Sequence, residues 1–327
     1  MTGMTTDKIR NLKNEVHLAG YLAELGEVRR GTDRNGVAYI NFQGKIQCSE
    51  DKADTYSFRT YVPALKKSGE KSKLYETVDK WVEKAVPMTK NPENPTKVDL
   101  SGSIVDNPYI QKDTGKLVEA VQFNTNLFND FKEFKKYIVL EGYVMSSHEE
   151  TSGEEKIPTG RMILDLLSRD IFKNTLEIKR VYISAEKLNE IKMAGFSYDR
   201  GCTAIFNISL ESRQVNGSVK SEGGWGTQYT TTSFTRNEWV LVGGEPPMYE
   251  GEHDNALSTQ LMRMAFAERQ ASLESKKHDH EMNGGASSGN VKTSFGSNTT
   301  TQAPATQAPK ANTQRVAVEM SEEDFPF

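Results

Sequence analysis

Apolar residues alternate with polar or small ones along much of this chain, and turn residues interrupt the alternation at intervals, which predicts short strands with one buried face. Val16, Leu18, Gly20 and Leu22 make the first run. The turn chemistry of 31–36, Gly-Thr-Asp-Arg-Asn-Gly, precedes a second run over 37–47, and a third covers 56–62. The period then changes from two to that of a helix: Leu74, Val78, Trp81, Val82 and Ala85 share one face, and Pro87 and Pro92 end it. Two more strands are predicted over 98–110 and 117–124, around the turn 112–115.

The order then repeats. Strands are predicted over 137–146, 161–170 and 175–184, a short helix capped by Ser184 over 185–194, and a final hairpin from 202–215 and 227–242. Val181 and Ile183 are out of phase with Leu176 and Ile178, which predicts a bulge. Three strands, a helix and two strands are the element order of an OB-fold, a small Greek-key barrel. The expected architecture is mainly β: a flexible N-terminus (1–12) and two tandem OB-fold barrels (13–136 and 137–250). A helical region (251–282), a disordered linker (283–318) and a terminal segment (319–327) follow. Leu257, Leu261, Met264 and Ala265 recur at helical spacing, with Phe266 and Leu273 on a flank, so an amphipathic helix packed on the second domain is expected.

Period-two alternation separates the two faces of the first barrel. Ala38, Ile40, Phe42 and Ile46 should point inward, as should Tyr56, Phe58 and Val62, leaving Tyr39, Asn41, Gln43, Lys45, Arg59 and Tyr61 outward. Aromatic rings among cations suit single-stranded nucleic acid, whose bases stack while its phosphates are neutralised. Arg29, Arg30 and Arg34 at the first inter-strand loop, and Tyr109, Lys112 and Lys116 at the last, extend the candidate site. In the second barrel 216–226 reads as the loop between the last two strands. It offers Lys220 and Trp225, whose indole either stacks a base or folds back on the barrel. Arg161, Lys179, Arg180, Tyr182 and Tyr229 are weaker candidates there.

Charge sharpens this choice. The net charge of −4 divides unevenly: Lys and Arg number 22 against 19 Asp and Glu over 1–136, 12 against 16 over 137–250, and 7 against 10 over 251–327. Only the first third is net positive, so a polyanion site is expected as a local groove there.

From 284 to 315 the chain is Gly, Ser, Thr, Asn, Gln, Ala and Pro with almost no apolar residues, which predicts a flexible tether spanning roughly 30 Å. Beyond it, Glu322, Glu323, Asp324, Phe325, Pro326 and Phe327 read as a docking peptide. The carboxylates would engage a basic rim while the two rings fill an apolar pocket. This ending resembles the C-terminal tip of bacterial single-stranded DNA-binding proteins, with Phe325 in place of their usual aliphatic residue. The resemblance implies coating of single-stranded DNA without strong sequence preference during replication, recombination or repair. It also implies recruitment of host or phage proteins through the tip, and a bacteriophage-encoded protein acting in a bacterial host.

Enzymatic readings find little support. Cys48 and Cys202 lie far apart, the histidines are scattered apart from His278 and His280, and neither a zinc cluster nor a phosphate-binding glycine loop can be written. Glu149, Glu150, Glu154 and Glu155 surround Ser152-Gly153 as a solvated loop. No cofactor or metal is expected. Neither is a membrane partner: the polar segment Met1 to Leu12 has no apolar core, so a cytoplasmic protein is expected. Two alternatives stay open, a recombination or nuclease accessory protein with the same tip, and a protein-interaction scaffold without DNA binding.

Overall fold

A computed structural model of the chain describes residues 6–66, 68–152, 155–223 and 226–282, with the backbone alone over 213–236. The first half contains β1 (Asn14–Leu25), β2 (Arg29–Thr32), β3 (Ala38–Gln47), β4 (Thr55–Pro63), α1 (Lys73–Lys84), β5 (Lys97–Asp106), β6 (Tyr109–Ile110), β7 (Leu117–Val118) and β8 (Val121–Asn129). The second contains β9 (Lys135–Ser152), β10 (Ile157–Arg169), β11 (Thr175–Ile183), α2 (Ala185–Met193), β12 (Thr203–Gly223) and β13 (Gly226–Gly244), and α3 (Thr259–Met282) follows. Strands dominate, and eleven of them form one continuous sheet.

That sheet closes on itself twice. β1 pairs antiparallel with β3 and β3 with β4; β4 runs parallel to β8 through Phe58↔Phe123; β8 and β5, then β5 and β1, are antiparallel. The second ring repeats the scheme, with β9–β10 and β10–β11 antiparallel, β11–β13 parallel through Val181↔Trp239, and β13–β12 and β12–β9 antiparallel. The rings join where β1 pairs with β9, from Asn14↔Leu140 to Ala19↔Lys135. The predicted boundary at 136/137 therefore falls inside β9.

Burial follows the alternation. Ile40, Phe42, Ile46, Tyr56, Phe58 and Val62 are buried in the first ring, and Leu164, Leu166, Phe206 and Ile208 in the second, within one continuous apolar cluster. α1 closes one end of the first ring: the Ser72 side chain caps it by accepting from the Tyr75 amide, Val78 is buried, and the Trp81 ring lies 4.5 Å from Phe128 and 6.2 Å from Phe42. The corresponding α2 is capped by Ser184, which accepts from the Lys187 amide at 3.2 Å.

The bulge is present. Leu164 faces Val181 and Leu166 faces Ile178, so Asp165 alone opposes Lys179 and Arg180. Arg180 adopts φ +61, and its amide donates to Asp165 Oδ1 at 3.0 Å, which supports the left-handed conformation.

Three expectations need correction. The strand expected over 98–110 stops at Asp106, and β6 and β7 form a separate small hairpin. Residues 216–223 are not a loop but continue β12, paired with β13 out to Gly223↔Gly226. The helix buries Met262, Ala265, Arg269 and Leu273, and it packs on both rings rather than on the second alone.

Arg269 makes the double contact. Its Nη1 donates to Glu119 at 2.7 Å and to Glu177 at 2.6 Å, and its Nη2 to Asp106 at 3.1 Å. Asp106 and Glu119 belong to the first half of the chain and Glu177 to β11, so one guanidinium ties the helix to both rings. Burial pushes Asp106 and Glu177 above the usual carboxylate range despite the nearby cations. Burial also pushes Glu119 up, but hydrogen bonds from Arg269 and Lys179 outweigh it and leave its carboxyl below that range.

Candidate nucleic-acid interface

The outward face of β2, β3 and β4 brings together most of the residues that alternation selected. Register places Gly31 opposite Tyr39 and Arg29 opposite Asn41, then Asn41 opposite Tyr61, Gln43 opposite Arg59 and Lys45 opposite Ser57. Residues opposite one another share a face, so Arg29, Tyr39, Asn41, Gln43, Lys45, Arg59 and Tyr61 form one patch.

Two tyrosines dominate it. The Tyr39 and Tyr61 rings lie 5.3 Å apart, tilted by 32°, and Tyr61 is 41% exposed. Gly31 makes room for this arrangement: a Cβ there would come within 2.9 Å of Tyr39 Oη, so the ring lies across β2 where its partner has no side chain. Burial, with Asp33 and Tyr39 adding to it, pushes the Tyr61 phenol upward, which keeps the hydroxyl protonated at neutral pH.

The cations around the rings are held loosely. Arg59 Nε donates to Asn41 Oδ1 at 3.2 Å, a neutral partner that steers the guanidinium without cancelling its charge. Arg29 pairs with Glu27 at 2.9 Å and Lys45 with Glu24 at 3.0 Å, all four side chains being widely exposed. Exposed pairs of this kind contribute about 0–1 kcal/mol, so a phosphate can displace the carboxylate. Beside Arg29 and Asn41 lies a cavity of about 220 Å³, lined also by Gly26, Glu27, Phe42 and Gln43.

Other candidates sit elsewhere. Arg30 faces the opposite way from Arg29 and donates twice to Asp79 of α1, at 2.7 and 3.0 Å, so it braces the helix instead of joining the patch. Arg34 occupies the turn between β2 and β3. Tyr109, 49% exposed, with Lys112 and Lys116, lies on the β6–β7 hairpin; a Cβ on Gly115 of that hairpin would stand 3.7 Å from His280 Nε2 at the end of α3. That places the hairpin beside α3.

In the second ring two of the candidate cations are already paired with carboxylates. Arg161 donates to Glu238 at 2.8 Å and lies 4.2 Å from the centre of the Tyr182 ring, and Tyr182 itself is buried. Lys179 reaches Glu119 at 3.0 Å, whereas Arg180 serves the bulge through its backbone amide. Lys220 stands opposite Tyr229 in the β12–β13 arm, their side chains and all of Trp225 being outside the described residues, as is the whole terminal peptide.

One aromatic and cationic group escaped the sequence reading. Lys97 Nζ lies 5.1 Å from the centre of the Tyr21 ring and 5.5 Å from that of Phe131, and Phe134 packs against both rings at 5.4 and 5.3 Å. Tyr21 faces Gln47 of β3, so this group adjoins the patch from the β1 side. The run Phe-Lys-Glu-Phe-Lys-Lys at 131–136 was the available signal.

Among the described residues no group of acidic, cysteine and histidine side chains has the arrangement of a metal site, and no helix is long and apolar enough to cross a membrane. The family model described as YorF matches residues 13–279. Solved structures of the single-stranded DNA binding protein from Thermus aquaticus are similar in part. A deletion mutant is 13% identical with a TM-score of 0.39, the match covering 75% of this chain and 98% of that one. The wild type is 12% identical with a TM-score of 0.39, covering 75% and 97%. No curated protein matches the chain.

Proposed function

We propose, for a chain that belongs to the YorF family, that it binds single-stranded DNA without strong sequence preference through the outward face of β2, β3 and β4. The observation that carries this reading is the Tyr39–Tyr61 pair on the outward face of the sheet, Tyr39 half-buried and Tyr61 exposed, with Arg59, Arg29 and Lys45 on the same face. Stacking accepts any base, and the surrounding cations take the phosphates between stacked bases. The pairing order of both rings supports treating them as tandem OB-folds, in which the face of strands two and three is a usual binding surface for oligonucleotides.

The rings would divide the labour. Pairing of Arg161 and Lys179 with carboxylates favours the first ring as the strand-binding one, with the β12–β13 arm supplying Lys220 and Trp225 as an extension. Glu322 to Phe327 would dock on replication, recombination and repair proteins of a bacterial host, the tether allowing the tip to search a volume comparable to the body.

Variants of the two tyrosines test the proposal by fluorescence anisotropy with labelled oligo-dT. Tyr39→Ala and Tyr61→Ala should each weaken binding by roughly 5- to 150-fold, the equivalent of about 1–3 kcal/mol for one lost stack. Tyr39→Phe and Tyr61→Phe, which keep the ring, should stay near the parent affinity. Alanine variants that bind as tightly as the parent would refute the assignment of this face.

A further inference from the structure

Between the turn Thr6–Lys8, the middle of α3 and the β10–β11 turn lies a cavity of about 300 Å³, at the lower end of volumes that take small molecules. Its wall includes Arg169, only 6% exposed. The Arg169 Nε donates to the Lys173 carbonyl at 2.9 Å and Nη1 donates to the Ile9 carbonyl. Among the described residues no carboxylate forms an ion pair with it. A buried guanidinium satisfied by neutral carbonyls alone keeps its full charge in a setting where charge is costly unless an anion accompanies it.

The surroundings add cations. Lys173, from the β10–β11 turn, and Lys276, from α3, line the same cavity, as does Ser272 one turn before Lys276 on that helix. Lys173 is fixed by its turn, where it takes φ +68 while Asp170 Oδ1 accepts the Phe172 and Asn174 amides at 2.8 Å each. The nearby carboxylates are engaged: Asp170 in that turn, Asp106 with Arg269, and Glu268 with the Thr6 hydroxyl at 2.8 Å. Of these lining and neighbouring acids only Glu268 faces the cavity without a cation or a turn to serve, against the three cations Arg169, Lys173 and Lys276.

We propose that this cavity binds a phosphate group, with Arg169 as the fixed fork and Lys173 and Lys276 as cations at its mouth. A planar guanidinium already oriented by two carbonyls matches the geometry of phosphate oxygens. Two sources carry that chemistry, a free phosphate or nucleoside monophosphate and the 5′-phosphate of a strand. None of the cavity's residues lies on β3 or β4, so the inference does not depend on the strand-binding face.

Thermal unfolding of the full chain tests it, with inorganic phosphate, dTMP, and oligo-dT bearing either a 5′-phosphate or a 5′-hydroxyl, each against sodium chloride at the same ionic strength. A saturable rise in Tm beyond the chloride control is expected. It should be lost in K173Q/K276Q, whose substitutions are on exposed side chains and whose response is read against that variant's own starting Tm, and should persist in Y39A. Equal saturation by phosphate and dTMP assigns the site to free phosphate. A greater rise with the 5′-phosphorylated strand than with the hydroxyl strand, lost in K173Q/K276Q, assigns it to the strand end. The proposal is overturned if no phosphate-bearing probe exceeds the chloride control, or if K173Q/K276Q responds as fully as the parent.

Discussion

Replacing Arg269 by alanine should loosen the whole body, because this one side chain pairs with three carboxylates at the meeting point of α3 and the two rings. The side chains of Arg269, Asp106 and Glu177 are 5%, 11% and 8% exposed, so neither acid can recover full hydration when the guanidinium is removed. Glu119 is 29% exposed and keeps Lys179 at 3.0 Å, so it contributes less to the loss than Glu177, which keeps the same lysine only at 3.8 Å. Removing one partner of a buried ion pair costs about 3–5 kcal/mol. For a folded body of this size that corresponds to a fall in Tm of roughly 6–20 °C.

The effect should also depend on pH. Asp106 and Glu177 are raised in the folded protein, so they bind protons more readily folded than unfolded, and the stability they withhold at neutral pH returns as the pH falls. Glu119 has the opposite sign: its lowered value contributes stability above the unfolded range that is lost on acidification. Without Arg269 all three are pushed upward. The stability difference between parent and Arg269→Ala should therefore narrow from neutral pH towards pH about 4, where carboxylates take up protons. Urea denaturation across that range measures it. A difference below about 1 kcal/mol at neutral pH, or one that does not change with pH, would refute the account of Arg269 as the tie between the rings.

Gly31→Val should push the Tyr39 ring off β2 and weaken oligo-dT binding by about as much as losing one stack, roughly 5- to 150-fold; unchanged affinity with an intact fold would count against the Tyr39 geometry. Deleting Ser321 to Phe327 should tighten strand binding at low salt, because the carboxylates no longer compete for the cationic face, and the difference should vanish as salt screens both interactions. Burial pushes the Cys202 thiol up to about 12 and raises Cys48 as well, so neither should react with a thiol reagent in the native protein; both should react on unfolding, and rapid native labelling would contradict their burial.

The strands of both rings were legible because one face of each is buried, and period two survives wherever burial is one-sided. Even the bulge was readable, as Val181 and Ile183 fall out of phase with Leu176 and Ile178. Legibility failed where backbone pairing continues without an apolar signal. Residues 216–223 are mostly Gly, Ser, Asn and Lys, which read as a loop, yet their backbone pairs strand to strand as far as Gly223. The buried stripe of α3 is hidden in the sequence for a related reason: Arg269 occupies an apolar position, and only the three-dimensional arrangement reveals the carboxylates that make its burial tolerable.

Cation counting had its own limit. Sequence identifies Arg30, Arg161 and Lys179 as positive, but not that Asp79, Glu238 and Glu119 already face them. Arg59 differs in a way no periodicity could show, since its partner is the neutral Asn41. The distinction between an engaged and an available cation is thus a tertiary property, and it moves the weight of the candidate site onto the first ring.

The most direct test of strand binding is an anisotropy titration of the full chain with oligo-dT and with a duplex of equal length over a salt series. Tight binding to the single strand and much weaker binding to the duplex are expected, with log affinity falling by about 0.7 per phosphate contact for each unit of log salt. No binding to oligo-dT at low salt, or equal affinity for the duplex, would contradict this expectation.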